Sequence, residues 1–575
     1  MKKEIFNIAK LMGQSVEREL VYVHGKPYIF CNQDLRVHGR TIEAIYIFLW
    51  LKRNNLSSLS TNEIANFYKS NKIFQNSLGG WENDIAVVRW SGTTVFFLDI
   101  LSEIILYYND LLDEDFKNLL LSDFKKGVNF LLNHFNITNA VANYLFAYLY
   151  ILIRAEKIIK NHNYKNVINS CVQKIYSFID NDYLIWGEGH YNTLESEQGY
   201  KAIDIIYNID ESIYYLYKIL KVDNQVFSIK LFYKILLAHI HFLLMDGGID
   251  GACGTRSYKW TYWGGRTAHG AESIFLELSK YSDVAKQWLT NHLLLLKKCL
   301  KNGLLLGGRD YALCDATPCI QHTIFKTISL IDSLSLDCEE FNNVFDGKIF
   351  NRDIVFKKYF HTVGIFLYKN ENWHISYKFS DYIYWGVNYS SCLPAFIWNI
   401  KYGPLFSFSI NDSLPPEPYN SQHQVLWKIL EGTLRLESLD GNFSSNDSIM
   451  ISFRQGIISK KEYIYTKGML LKNNDYTYSC LVFIQKDFIQ LFIKCNKRMN
   501  LLFPVIIGNN KVTSTHKDIF LKTVDTICQI SLVSKNEFTS LGKGINYSPG
   551  FVINSFKCMC EDSFKTHILI KISDQ

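Results

Sequence analysis

The stretch GGIDGACGTRSYKWTYWGGRTAHG, Gly247 to Gly270, is the densest concentration of residues that can do chemistry in this chain. Arg256, Lys259, Arg266 and His269 can meet an anion, while Tyr258, Trp260, Tyr262 and Trp263 offer flat faces that stack on sugar rings. Its glycines allow tight turns, and the absence of GxxxxGK[ST] excludes a phosphate loop. The pattern suits an anionic sugar. The alternative is a long crossover packed by Gly and Trp with its basic groups in water.

A second segment, WGEGHYNTLESEQGYKAIDIIYNIDES, runs from Trp186 to Ser212. His190, Tyr191, Tyr200 and Tyr207 are candidate proton carriers, with Glu188, Asp204 and Glu211 to orient them, and Asp210, Glu211 and Ser212 read as the start of the next helix. Trp186 and Tyr191 also read as sugar-facing aromatics. A third candidate is NHFNITNAVANYLFAYLY, where Asn136, Asn139 and Asn143 stand at i, i+3 and i+7. On a helix they share a face, and because Asn is a poor helix-interior residue such a stripe points to a cleft; an N-cap role for Asn136 or Asn139 is the competing reading.

These segments need a scaffold. From about Thr94 to Ser335 apolar residues recur at helical spacing in nine stretches, from VFFLDILSEIILYYNDLL to QHTIFKTISLIDSL. So many sequential helices close either as a superhelical stack or as a ring of helical hairpins, and no fixed-period repeat favours the stack. After about Asn351 the period becomes two, as in YTYSCLVFIQKDFIQLFIKC, which predicts an antiparallel sandwich. The expected divisions are residues 1–93, a mixed lead-in with a hairpin near Tyr22 to Phe30; 94–337, helical; 338–352, a linker; and 353–575, all-β.

Composition narrows the function. The chain has 575 residues, 48% hydrophobic and 20% charged, with only 9 Pro, so general disorder and a collagenous chain are excluded. A net charge of +6 without a Lys/Arg run does not suggest nucleic acid. The 15% aromatic content suits a carbohydrate cleft but needs support from position. No apolar run is long enough for membrane insertion, and the amino terminus shows no secretory signal, so a cytoplasmic location is expected. Thirteen scattered Cys read as reduced buried thiols; Cys558 with Cys560 and Cys314 with Cys319 lack companion pairs at zinc spacing, so no metal and no cofactor is expected.

The order of the segments, Asn-bearing helix, loop with His and a following Tyr, Arg-bearing loop, then β-sandwich, resembles the polysaccharide lyases built on an α/α toroid, the chondroitin, hyaluronate and alginate lyases and the heparinase II/III-like proteins. GPLFSFSI at Gly403 to Ile410 and PPEPYNSQHQ at Pro415 to Gln424 are similar to the sandwich entry of heparinase-like proteins, whereas their His-x-His-x-Asp strand motif is missing. The resemblance implies an incomplete α/α toroid of helical hairpins followed by an antiparallel β-sandwich, and β-elimination on an acidic, uronate-containing polysaccharide or oligosaccharide. Asn139 or Asn143 with an Arg would neutralise the uronate carboxylate, His190 or a Tyr phenolate would take the C5 proton, and Tyr200 or Tyr207 would protonate the leaving oxygen. Arg256 and Arg266 would orient the chain, beside Tyr262, Trp263, His269, Trp186 and Tyr191. Two other readings stay open: a glycoside hydrolase on the same ring, pairing Glu188 with Asp204, Glu211, Asp246 or Asp250, and a non-catalytic glycan-binding protein.

Overall fold

Among the described residues the helical period becomes thirteen helices: α1 (Lys2–Arg18), α2 (Ala44–Arg53), α3 (Thr61–Asn71), α4 (Ser91–Tyr107), α5 (Glu114–His134), α6 (Ala142–Ile159), α7 (Lys165–Ser177), α8 (Ile205–Tyr207), α9 (Ile213–Val222), α10 (Ile229–Ile240), α11 (Glu272–Leu278), α12 (Asp283–Lys298) and α13 (Ile320–Ser335). Their starts follow ordinary capping chemistry. Ser60 and Glu63 form a reciprocal capping box on α3, and Asp113, Ser228 and Ser282 each accept a backbone N–H at the starts of α5, α10 and α12. The computed structural model describes residues 1–32, 34–84, 91–160, 164–188, 195–335, 355–382, 390–407, 427–428, 430, 432–534, 536–546, 548–560 and 566–574. The expected linker at 338–352, the PPEPYNSQHQ segment, His190 and Tyr191 lie outside them.

The helices close as an α/α toroid. Helix α1 packs against α13 and α2, so the first residues seal the ring with the last helix. This corrects the expected division at residue 93: the lead-in does contain the hairpin, Leu20–Val23 paired with Lys26–Ile29, but α1, α2 and α3 share one core with the later helices. That extent escapes the sequence because α2 is buried over Ala44 to Leu51 and shows no polar face for a period to stand against.

The inner helices α2, α4, α6, α9 and α13 meet along the axis in side chains that are polar as well as apolar. Lys218 of α9 sits 2.8 and 2.9 Å from the two oxygens of Asp99 on α4, and 3.5 Å from both Glu103 and Asp332. Tyr215 donates to Asp99, Tyr46 and Tyr214 donate to Asp332, and Tyr150 donates to Glu103, which also pairs with Arg154. At the C-terminal ends of these helices a cavity of about 590 Å³ is lined by Trp50, Arg53, Tyr107, Arg154, Lys221 and Ser335 among others. Its cations lie where the helix dipoles are negative.

The period-two runs form antiparallel sheets. Five strands, Phe356–Phe360, Ile365–Lys369, Trp373–Lys378, Phe396–Asn399 and Gly403–Ser407, follow one another as a meander. An eight-stranded and a four-stranded sheet complete the β-sandwich around a second core that includes Trp373, Leu436, Ile489, Phe503 and Ile570. Phe360, Ile365, Phe396, Trp398 and Phe551 instead join the toroid's own core, so one sandwich face is packed against the ring.

Lys218 supplies the one cation shared by three buried carboxylates from two helices. Lys218→Met should therefore cost about 3–5 kcal/mol of stability by leaving buried charge uncompensated. Urea denaturation checks it; a loss below about 1 kcal/mol would show that the cluster is hydrated or protonated instead.

Candidate functional site

The two loops singled out by composition meet at the N-terminal ends of the inner helices. Gly187 N–H donates to Ala202 O at 2.8 Å, and the next residue meets the Gly247 to Gly270 loop: Ile203 N–H donates to Thr255 Oγ1 at 3.0 Å, and Thr255 N–H back to Ile203 O at 2.7 Å. The helix that follows begins earlier than expected. Asp204 is its cap, accepting from Ile206 and Tyr207 at 3.1 and 3.2 Å, and Asn208–Ser212 form a π-helical turn between α8 and α9 rather than a helix start.

Arg256 is the centre of the site. Its guanidinium pairs with Glu188, lies 3.8 Å from Asp204 and stacks 4.2 Å above the Tyr207 ring. The other Glu188 oxygen accepts the Asn143 N–H at 3.1 Å, at the first turn of α6. Asn143, Glu188, Asp204, Tyr207 and Arg256 are thus brought together, all buried.

Behind them lies a second set of charges. His269 Nδ1 sits 3.2 Å from Glu211, and its Nε2 lies 4.0 Å from Glu43, which pairs with Arg40. Lys326 bonds Glu272 at 2.9 Å and lies 3.9 Å from Asp210, while His292 and Ser329 also hold Glu272. Gly265 N–H donates to Asp210 at 2.8 Å, and a Cβ at Gly264 would stand 2.3 Å from the same carboxylate, so the loop must be glycine there to wrap it. Tyr262 and Thr267 carry φ of +74° and +60°, strain that the surrounding bonds hold in place.

Burial sets the protonation. It raises Glu188 to about 7 against the opposing pull of Arg256, and Glu211 to about 8 against Arg40. Asp210 rises to about 6, against Lys326. Burial lowers His269 to about 4, so the imidazole is neutral, and lowers Lys378, which donates to Gly254 O at 3.3 Å, to about 8.

Not every expected residue faces the site. Asn139 is corrected: α5 ends at His134 and α6 begins at Ala142, so the three Asn share no helix face. Asn136 accepts from Thr138 and Asn139 N–H in an exposed turn, the local bonding that Asn prefers to a helix interior. Arg266 is also corrected. Wholly enclosed, it donates to the carbonyls of Tyr258 and Gly307 and holds the loop's shape instead of orienting a ligand. Trp263 donates to Leu306 O, Tyr262 to Asp246, and His269 is stacked on Tyr214; all three are buried as supports rather than ligand-facing surfaces. Tyr207 donates to the Arg266 carbonyl and lies 3.0 Å from Thr267 Oγ1, beneath Arg256. Tyr200 and Trp186 remain partly exposed, Tyr200 with its hydroxyl 2.9 Å from that of Tyr359 on the sandwich and Trp186 beneath the Lys201 ammonium at 4.8 Å. Sequence reasoning missed Arg40, Glu43, Glu272, Lys326 and Tyr359; the i, i+3 spacing of Arg40 and Glu43 is the one local signal among them.

A ring of helical hairpins capped by an antiparallel sandwich is the architecture shared with solved polysaccharide lyases. A heparinase III (TM-score 0.53, 10% identity, 99% of this chain and 84% of that one), a heparan sulfate lyase from Pedobacter heparinus (0.51, 8%, 99% and 83%) and the chondroitin AC lyase of Streptomyces coelicolor (0.53, 8%, 99% and 79%) have the same fold. The chain belongs to the ulvan lyase N-terminal domain family, whose model matches residues 10–343. A broad-specificity ulvan lyase of Formosa agariphila is 28% identical over 298 residues, covering 51% of this chain and 46% of that protein, so the match spans less than half the relative's length.

The raised carboxylates fix a pH dependence. Groups whose folded pKa lies above the unfolded value near 4 contribute stability that is complete below that value and is lost as pH rises through about 6 to 8. The melting temperature should therefore fall between about pH 4 and 8, and Glu188→Gln should remove the part of that fall that lies below about pH 7. A melting temperature that rises over this range would contradict the assignment.

Proposed function

We propose that the chain cleaves a uronate-containing acidic polysaccharide by β-elimination, with ulvan as the first substrate to test because that is the activity named for the Formosa agariphila relative. The observation that carries the reading is the setting of Arg256, fixed by Glu188 and Asp204 beside Asn143 at the N-terminal end of α6. A uronate carboxylate docked there meets a guanidinium and the positive end of a helix, the charges that stabilise the aci-enolate formed when the C5 proton leaves. Glu188, near its own ionisation point, leaves part of the guanidinium charge available.

Of the two tyrosines, Tyr200 fits the proton-transfer role. Its hydroxyl meets that of Tyr359 on the sandwich at 2.9 Å, and burial holds the phenol above its ordinary value, so it is protonated and suited to giving a proton to the leaving oxygen. Tyr207 is occupied as the platform under Arg256. In this reading His190, at the same loop, takes the C5 proton.

The test is the ultraviolet absorbance of the unsaturated uronate, followed with ulvan and a panel of other uronate polymers. Tyr200→Phe should lower the rate by about 10²- to 10⁴-fold with the fold intact, and Arg256→Ala should lose at least as much. Tyr207→Phe should cost about 1 kcal/mol of stability and leave most of the rate. New reducing ends without the chromophore would overturn elimination in favour of hydrolysis by Glu188 and Asp204.

A further inference from the structure

The segment after the N-terminal hairpin folds back on itself. Phe30 bridges to Val37, Cys31 N–H donates to Arg36 O at 2.8 Å, Leu35 N–H returns to Cys31 O at 3.0 Å, and Leu35 is held at a φ of +58°. The result is a small loop that brings three different donors to one point. The Cys31 thiol, an Asp34 carboxylate oxygen and a His38 ring nitrogen all lie within 4.8 Å of one another, with His38 Nε2 already 3.0 Å from Asp34. Cys31 and His38 are buried, at 5% and 1% exposure.

We propose that Cys31, Asp34 and His38 bind one zinc ion. Zinc bonds of about 2.0–2.3 Å in a tetrahedron place donor atoms about 3.3–3.8 Å apart, a contraction the loop can reach from its present spacing. A thiolate, an imidazole and a carboxylate together suit zinc and not the oxygen-seeking calcium or magnesium. Arg36, now 3.2 Å from Asp34, keeps Asp84 at 3.5 Å as a partner when Asp34 turns to the metal.

The site is separate from the Arg256 centre and does not rest on the proposed reaction. Its place in the fold gives it a role. His38 is followed by Gly39, whose Cβ position is filled by the Glu82 carbonyl at 1.9 Å, and then by Arg40 and Glu43, which face His269 and Glu211. Zinc held by this loop would fix the strip of chain that leads into Arg40 and Glu43. The expectation of no cysteine metal site rested on paired Cys spacings, and a mixed set with a single Cys shows no such spacing.

The full chain, purified in reducing buffer without chelator, should carry one zinc per molecule by elemental mass spectrometry, or take up one on reconstitution. Cobalt(II) should give a thiolate-to-metal band, and zinc but not magnesium should raise the melting temperature. Cys31→Ser and His38→Gln should each weaken zinc binding by at least about tenfold, while Cys171→Ser, a buried thiol on α7, should not. Far-ultraviolet circular dichroism confirms that the variants are folded. Substoichiometric zinc after reconstitution, a cobalt thiolate band that persists in Cys31→Ser, or a wild-type melting temperature indifferent to both zinc and chelator would overturn the proposal.

Discussion

A closed ring of helices has an axis that must be filled, and here it is filled largely with charge. Aliphatic side chains alone would make a stable plug; instead Lys218 draws Asp99, Glu103 and Asp332 together, and tyrosines from α2, α6 and α9 satisfy the remaining oxygens. Buried ion pairs of this kind are paid for in desolvation and tolerate little displacement of their partners. The consequence is a ring whose inner helices are fixed in rotation and height relative to one another. The Arg256 site stands on those helices' other ends, so its precision derives from the axis beneath it.

The same logic extends to the junction with the sandwich. His374 Nε2 lies 2.8 Å from Asp250, Asp246 accepts from both Tyr262 and Trp398, and Lys369 reaches Leu243 O at 2.8 Å. Each bond lands on the loop that begins at Leu243 and ends in Arg256. The sandwich therefore does two things in this fold: it holds the back of the Arg-bearing loop, and its Tyr359 meets Tyr200.

Long amphipathic helices and half-buried hairpins were legible from residue order alone. Thr477–Ile484 alternates with Tyr478, Cys480, Val482 and Ile484 inward, and Glu114–His134 keeps one wet face. Met499–Ile506 shows no such alternation because every residue in it is buried, and α2 hides for the same reason. In the site, composition found the two loops that meet, and Glu188, Asp204 and Arg256 within them. It could not separate the Arg that pairs with carboxylates from the Arg that props the loop through its carbonyls, since Arg256 and Arg266 differ in what surrounds them and not in type. Arg40, Glu43, Glu272 and Lys326 come from elements far apart in sequence, and only closure of the ring sets them side by side.

The loop is also tied to the far end of the chain. Ser548 donates to the carbonyls of Ser257 and Trp260, both at 2.6 Å, and Ser548 lies 291 residues beyond Ser257. Val552 N–H similarly reaches Asp310 at 3.0 Å, and Gly308 and Gly550 approach so closely that neither has room for a Cβ. During synthesis the helical ring emerges first, and the Ser548 hydroxyl that bonds the carbonyls of Ser257 and Trp260 is made almost 300 residues later. The order of manufacture is therefore the reverse of the order of completion: the ring is made early, and its working loop receives its last hydrogen bonds only when the sandwich is nearly finished.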